Sequence, residues 1–345
     1  MKKIKFKIND FKNSEIIISK NIDLESVIKK IDHDKSLLIT DGNIYKIFQK
    51  NLKNFKVFLL KQDREKKLSD IERIIEYLIK NNFSRKSLLI AFGGGKITDT
   101  VGFAASIYMR GINWIDIPTT ALSQIDASVG GKTAIDFNGI KNIIGSFHFP
   151  ILTLIDPTYT QKQDDFNFRE AIGELLKYLI IMPPHKSKNL EKLMNDLYKR
   201  DIDAILKAIE ICIGFKVEIV KKDPFDTKKI REILNLGHTA GHAIEEIHNI
   251  PHGYAIWYGL YYTAKLSEKL KILKNKNILY LFIENYKLER NLITKKYPNN
   301  FLKLILSDKK RKGYRNYFLL IEDFSKIKPT FNIDEKILID TYLSL

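Results

Sequence analysis

The sequence predicts two domains, an α/β domain over residues 1–155 and a mainly α-helical domain over residues 156–345. Three observations predict them. A short apolar run, Lys86 to Phe92, ends in Gly93-Gly94-Gly95, as a parallel strand covered on both faces does when it turns into a helix. A second strand follows, Ile112 to Ile117, running into Pro118-Thr119-Thr120. Later in the chain the apolar residues recur at helical spacing instead, over 202–220, 258–273 and 278–286. With 345 residues, 44% of them hydrophobic, the chain can bury a core in each domain.

Taken in order, Met1 to Lys20 alternates Lys with Ile and Phe and reads as a first strand, not a signal peptide. No run approaches the roughly 20 apolar residues of a membrane span. The single cysteine, Cys212, rules out an intramolecular disulfide and fits a reducing compartment, so a cytoplasmic chain with no membrane partner is expected. After the three glycines, Thr98 and Asp99 are natural N-cap residues, and Val101, Ala104, Ala105 and Tyr108 lie on one face of a helix. Strand, glycine turn and helix start make a phosphate cradle. Backbone without Cβ approaches an anion closely, and the free N–H groups and the positive helix end face it. The spacing is not Gly-x-Gly-x-x-Gly, so the turn predicts a phosphate-bearing ligand without specifying which.

The polar turn at Thr119-Thr120 leads into Gln124-Ile-Asp-Ala-Ser-Val-Gly-Gly-Lys-Thr133, where Asp126, Lys132 and Thr133 stand among glycines. Gly139-Ile-Lys-Asn142 and Gly145-Ser-Phe-His148 repeat the pattern. Successive glycine-rich loops carrying ammonium and amide donors suit phosphates and hydroxyls. In the helical half, four of the seven histidines (His238, His242, His248, His252) crowd into one short stretch. At helical pitch His238 and His242 share a face, which suggests a divalent metal, although this spacing alone also fits capping or packing histidines. Glu174 and Lys177, three apart, have the spacing of an ordinary surface ion pair. The net charge of +17 is mostly lysine spread along the chain, so no nucleic-acid partner is expected.

Together these strings resemble the 3-dehydroquinate synthase family of sugar-phosphate cyclases. The resemblance rests on Gly93-Gly-Gly with Asp99, Tyr108-Met-Arg-Gly111, Pro118-Thr-Thr120, Asp126-Ala-Ser-Val-Gly-Gly-Lys-Thr133, Gly139-Ile-Lys-Asn-Ile-Ile-Gly145, Glu174-Leu-Leu-Lys-Tyr178 and Leu234-Asn-Leu-Gly-His-Thr-Ala-Gly-His-Ala-Ile-Glu245. It is densest from Ser87 to Gly259 and thins to Thr40-Asp-Gly-Asn43 and Asp308-Lys-Lys310 outside that core. It implies a Rossmann-like nucleotide-binding α/β domain followed by a helical metal- and substrate-binding domain, with the active site in the cleft between them.

The resemblance also implies a set of site residues. One zinc or cobalt ion would be held by Glu174, His238 and His252, and His242 would lie nearer the substrate phosphate. Lys132, Asn142, Lys177, Lys216, Arg231, Asn235, His242 and Lys309 or Lys310 match positions that hold the carboxylate, hydroxyls and phosphate of a seven-carbon sugar acid phosphate. Arg110 matches an arginine that reaches the neighbouring subunit's phosphate site, which implies a homodimer. For NAD, Asp41, Asp63 and Lys66 match the adenosine end and Gly94 and Gly95 the pyrophosphate. Asp99, Thr119, Thr120, Asp126, Lys132 and Lys141 match the nicotinamide half and its surroundings. Asp41 beside the ribose would disfavour a 2′-phosphorylated nucleotide by like-charge repulsion.

The implied activity converts 3-deoxy-D-arabino-heptulosonate 7-phosphate to 3-dehydroquinate and phosphate, a step toward aromatic amino acids. NAD oxidises the substrate transiently, phosphate is eliminated, the hydride returns, and an intramolecular aldol closes the ring. The chain departs from the family in several places. His252-Gly-Tyr254 stands where members read His-Gly-Glu, which removes a carboxylate near the metal. Lys96 and Thr98 replace small or apolar residues of the glycine turn, Glu170-Ala-Ile-Gly173 alters the order of small residues, and Lys61-Gln-Asp-Arg-Glu-Lys-Lys67 alters the adenosine segment. Two alternatives share much of this machinery: a cyclase for another sugar phosphate, and a metal-dependent polyol dehydrogenase similar to glycerol dehydrogenase. The phosphate-binding cations argue against the dehydrogenase.

Overall fold

The computed structural model describes residues 1–9, 12–61, 65–288, 291–294, 297–307 and 316–345. The chain divides into two compact units, each assembled from two separate stretches. The first comprises Met1–Phe168 and Asp196–Phe225, the second Arg169–Asn195 and Asp226–Leu345. The boundary expected at 155/156 therefore differs from the observed division. The chain leaves the first unit later, and returns to it for the long helix Ile202–Lys222. That helix packs on the first strand and on the turn Ser123–Ala127. Helical periodicity identifies it as a helix but does not say which core it covers.

The first unit is built on a seven-stranded sheet. Its strands are β1 (Lys2–Asn9), β2 (Lys12–Ile18), β3 (Ser36–Asp41), β4 (Val57–Leu60), β5 (Leu88–Gly93), β6 (Asn113–Pro118) and, after the hairpin β7 (Lys132–Phe137) and β8 (Ile140–Phe147), β9 (Leu152–Ile155). The order is β1-β2-β9-β6-β5-β3-β4, with β1 antiparallel to β2 and every other pairing parallel. The segment 1–20 read as one strand is thus an antiparallel hairpin. β5 buries both faces: Leu89 and Ala91 join the core under the helices Leu68–Lys80 and Gly95–Ile107, and Leu88, Ile90 and Phe92 join the core opposite. This is why its sequence is a continuous apolar run and not an alternating one. From β3 the chain runs outward to β4, and from β5 it runs the other way to β6. The direction reverses between β3 and β5, whose carboxyl ends are Asp41 and Gly93, the place where open α/β sheets bind ligands.

Two local expectations change. The helix after β5 starts at Gly95 with Gly94 as its N-cap, so Thr98 and Asp99 lie inside it. A Cβ on Gly93 would meet Ile97 Cγ1 at 2.6 Å, and the tight turn brings the first helical turn this close to the strand end. The glycine-rich stretch 132–147 forms the hairpin β7–β8 and not open loops, with Asn138 (φ 50°) and Gly139 (φ 75°) at its turn. Asn-Gly with both φ positive is the tight hairpin turn whose twist matches its strands.

The second unit is mainly helical. The helix His252–Lys269 packs against Ala171–Ile181, His238–His248 and Glu335–Tyr342, and against β10 (Tyr317–Asp323) of a hairpin with β11 (Lys326–Phe331). Fully buried Tyr262 donates to the Leu338 carbonyl at 2.9 Å, which satisfies its hydroxyl within the core. No helix among the described residues is long and apolar enough to cross a membrane.

A candidate metal centre and nucleotide cradle

In the second unit, two glycines let backbones touch. A Cβ on Gly173 would lie 1.9 Å from the Gly253 carbonyl oxygen, and one on Gly253 would lie 1.8 Å from that of Glu170. Helix Ala171–Ile181 and the start of helix His252–Lys269 therefore meet without side chains between them. This approach sets Glu174 beside His252 inside the unit. The Glu174 Oε1 atom lies 3.6 Å from His238 Nε2 and 3.5 Å from His252 Nε2. Ligand atoms about 2.0–2.1 Å from a tetrahedral zinc lie about 3.3 Å from one another, so a Glu/His/His set at this spacing fits a divalent ion with little adjustment. Each imidazole is anchored through its other nitrogen, His238 Nδ1 against the Leu236 carbonyl at 3.1 Å and His252 Nδ1 against Glu245 Oε2 at 2.9 Å.

His242, the partner suggested by helical pitch, is exposed, with its ring 5.3 Å from that of His238. It falls in a second group of potential ligands with Glu245 and His252. Lys177 Nζ is ion-paired to Glu174 Oε2, and both side chains are only 1% exposed. The spacing that suggested a surface pair belongs instead to a buried one. Lys177 also stands over the Tyr178 ring at 5.1 Å. Arg231 is buried and Asn235 exposed on the turn Ile230–Asn235, directly before Leu236 and His238.

Burial pulls the His238 imidazole down to about 3, leaving it neutral and able to ligate. Burial also pulls on His252, but hydrogen bonds with Glu174 and Glu245 outweigh it and push the imidazole up to about 10. Because this lies above the ordinary value near 6.5, His252 stabilises the metal-free fold fully below about pH 6.5, and that contribution is lost as pH rises through about 10. A metal arriving at Nε2 must displace a proton. Zinc affinity of the metal-free protein is accordingly expected to rise about tenfold per pH unit from neutrality toward pH 10, with about one proton released per zinc. Competition titrations at several pH values measure the slope. A flat profile would mean that His252 is already deprotonated.

In the first unit the predicted residues form three groups. Gly94 and Gly95 begin the helix at the end of β5, and Thr119 donates its N–H to the Gly93 carbonyl at 2.9 Å. The Thr120 hydroxyl is shared with Ser123 Oγ at 2.7 Å. Asp126 and Lys216 form the second group: Lys216 Nζ contacts the Asp126 carbonyl at 2.7 Å and its Oδ1 at 3.0 Å. The third group unites Lys66, Asp99 and Asn142. Buried Lys66 Nζ reaches Asp99 Oδ2 at 2.7 Å and also donates to Asn142 Oδ1. Desolvation raises the Asp99 carboxyl above its usual range, against the opposing pull of Lys66.

Sequence reasoning missed Asp136, which organises that third group. Its two carboxylate oxygens accept the backbone N–H groups of Lys66 (3.2 Å) and Asn142 (2.9 Å), and its own N–H donates to the Lys66 carbonyl at 2.8 Å. The available signal was a carboxylate inside a strand two residues before an Asn-Gly turn. Asp41 ends β3 and caps the following helix, accepting from Asn43 N at 2.8 Å and Ile44 N at 2.9 Å through Oδ1. Lys132 and Lys141 are exposed on the β7–β8 hairpin, and Lys132 lies 6.0 Å over the Phe147 ring. Exposed Arg110 stands in a turn where Met109, Arg110 and Gly111 all have positive φ (48°, 65° and 111°). Asp63, Lys309 and Lys310 lie outside the described residues.

A family model described as the 3-dehydroquinate synthase N-terminal region matches residues 56–170, and one described as its C-terminal region matches residues 171–311. Their seam falls beside the first crossing between the two compact units, at 168/169. The chain is 36% identical over 316 residues to a 3-dehydroquinate synthase of Clostridium tetani, covering 88% of this chain and 84% of that protein. It is 33% identical over 339 residues to that of Dictyoglomus turgidum, covering 94% and 93%. In fold it is similar to a 2-deoxy-scyllo-inosose synthase solved with carbaglucose-6-phosphate, NAD+ and Co2+ (TM-score 0.87, 22% identity, 99% of both chains). It also resembles an iron-containing alcohol dehydrogenase, less closely (TM-score 0.67, 14% identity, 96% of this chain and 98% of that one).

Proposed function

Because the chain belongs to the 3-dehydroquinate synthase family, we propose that it converts 3-deoxy-D-arabino-heptulosonate 7-phosphate to 3-dehydroquinate and inorganic phosphate, using NAD and one divalent metal. The observation that carries this reading is the set of buried Glu174 with half-buried His238 and His252, whose facing atoms stand at ligand spacing. When bound, the metal supplies Lewis acidity and the nucleotide a reversible hydride acceptor, so the overall reaction loses phosphate and closes a ring with no net oxidation.

The protein's own part is binding and charge. Glu174, His238 and His252 hold the metal, and Lys177 offsets the carboxylate charge of Glu174 within the core. Lys132, Asn142, Lys216, Arg231, Asn235 and His242 bind the substrate's carboxylate, hydroxyls and phosphate, because only a cation-rich environment offsets the desolvation of such a ligand. Gly94 and Gly95 present the helix N-terminus to the nucleotide pyrophosphate. Asp41 faces the adenosine ribose, with Lys66 at the same end of the nucleotide, and Asp99, Thr119, Thr120, Asp126 and Lys141 surround the nicotinamide half. The leaving phosphate can itself accept the substrate proton, which explains why positioning outweighs general bases in this residue set. The working enzyme is a cytoplasmic homodimer in which Arg110, on its left-handed turn, serves the neighbouring subunit's phosphate site.

The test is phosphate release from the heptulosonate phosphate by purified protein supplied with NAD and zinc, followed together with NADH absorbance. Stoichiometric phosphate without accumulating NADH is the expected result. Phosphate from a different sugar phosphate alone would move the substrate, and steady NADH formation from a simple polyol would overturn the cyclase reading.

A further inference from the structure

We propose that Glu245 is the positioning residue of the metal centre, fixing His252 so that its Nε2 lone pair faces the ion. The proposal rests on the reading of Glu174, His238 and His252 as the metal ligands. His252 is the first residue of its helix, with Pro251 as the N-cap. Glu245 belongs to the last turns of the preceding helix, which ends at Asn249 in a left-handed conformation (φ 49°). The 2.9 Å contact between Glu245 Oε2 and His252 Nδ1 therefore spans the bend between two helices. A carboxylate there accepts a hydrogen bond from Nδ1–H and so holds the proton on Nδ1, leaving the neutral ring's lone pair on Nε2, the nitrogen 3.5 Å from Glu174 Oε1. His238 is held differently, by an uncharged carbonyl, that of Leu236. Of the two histidines, His252 is the one whose Nδ1 faces a carboxylate.

This bears on the departure at position 254. The sequence suggested that Tyr254 costs the site a carboxylate. Tyr254 is buried in the helix that His252 begins, and the carboxylate on the His252 ring comes from the other helix. The replacement at 254 thus leaves His252 oriented.

The experiment uses the full-length protein as wild type, Glu245→Ala, Glu245→Gln and His238→Ala, stripped of metal. Zinc affinity and stoichiometry come from competition with a chromophoric chelator, ligand geometry from the visible spectrum of the cobalt form, and folding from the melting temperature of the metal-free protein. Glu245→Ala is expected to bind one zinc about 10- to 100-fold more weakly, with an altered cobalt spectrum, while the metal-free protein still unfolds in one cooperative transition at a melting temperature lowered only modestly by loss of the Glu245–His252 contact. Glu245→Gln, whose amide oxygen still accepts from Nδ1, should recover much of the affinity, and it carries the test if the alanine variant fails to fold. Wild-type affinity and spectrum in Glu245→Ala would overturn the proposal. So would loss of a separate second zinc with the first unaffected, since Glu245 would then be a ligand beside His242. Zinc retained at full affinity by His238→Ala would instead remove the metal-site reading itself, and the proposal with it.

Discussion

The His238→Ala protein is expected to purify without zinc or cobalt and to release no phosphate from the heptulosonate phosphate. His238 supplies one of the two imidazoles that converge on Glu174 Oε1, at 3.6 Å, and burial keeps its ring neutral across the working pH range. Removing it leaves a carboxylate and a single imidazole. Zinc sites are worth on the order of 10–16 kcal/mol over all their ligands, so losing one of three costs on the order of 4 kcal/mol, about a thousandfold in affinity. Metal analysis per subunit and a phosphate assay measure both effects. His248→Ala is the matched control. That histidine lies on the same helix, but its Nε2 meets Tyr342 Oη at 2.7 Å, and the variant should keep its metal. Full metal and full turnover in His238→Ala would remove it from the site.

The Arg231→Ala protein separates metal binding from substrate binding: it should keep one metal and lose turnover. Arg231 is 4% exposed on the turn that leads to Leu236, whose carbonyl anchors His238. Paired, charge-assisted contacts from a guanidinium to a substrate oxyanion would be worth together about 3–4 kcal/mol, or about 10²- to 10³-fold in kcat/KM. Arg231→Lys should restore little, because an ammonium cannot reproduce the planar fork. Steady-state kinetics beside metal analysis decide the outcome, and wild-type kcat/KM in the alanine variant would exclude Arg231 from the substrate site.

What the sequence revealed depended on whether the deciding contacts were local. β5 was legible because burial on both faces leaves a continuous apolar run, and the cradle because glycines must stand where strand turns into helix. The Glu174–Lys177 spacing was not decisive, because buried and exposed ion pairs share it. Their burial follows from the contact of Gly173 with Gly253, far apart in the chain. Spacing alone favoured His238 with His242. His252 faces Glu174 only because the chain bends between two helices, and only the family resemblance anticipated it. Asp136 was hidden for a related reason, since its partners are backbone N–H groups that no residue type announces. The helix start at Gly95 was misplaced because Thr98 and Asp99 have the chemistry of caps, while the tight glycine turn set the start one turn earlier.

The way the two units share the chain has a consequence for its synthesis. Once residues 1–195 have emerged from the ribosome, most of the first unit is outside, but the helix Ile202–Lys222, which covers β1 and carries Lys216, has yet to follow. The stretch 169–195, bearing Glu174, is by then already exposed, and the remainder of its unit begins only at residue 226. For that interval neither unit can close, and apolar surface from both stands in water beside the ribosome exit. Elongation through residues 196–225 is therefore the stage most open to aggregation or chaperone capture, and a gene split at residue 155 would leave the first fragment without part of its core while the second carried the missing pieces.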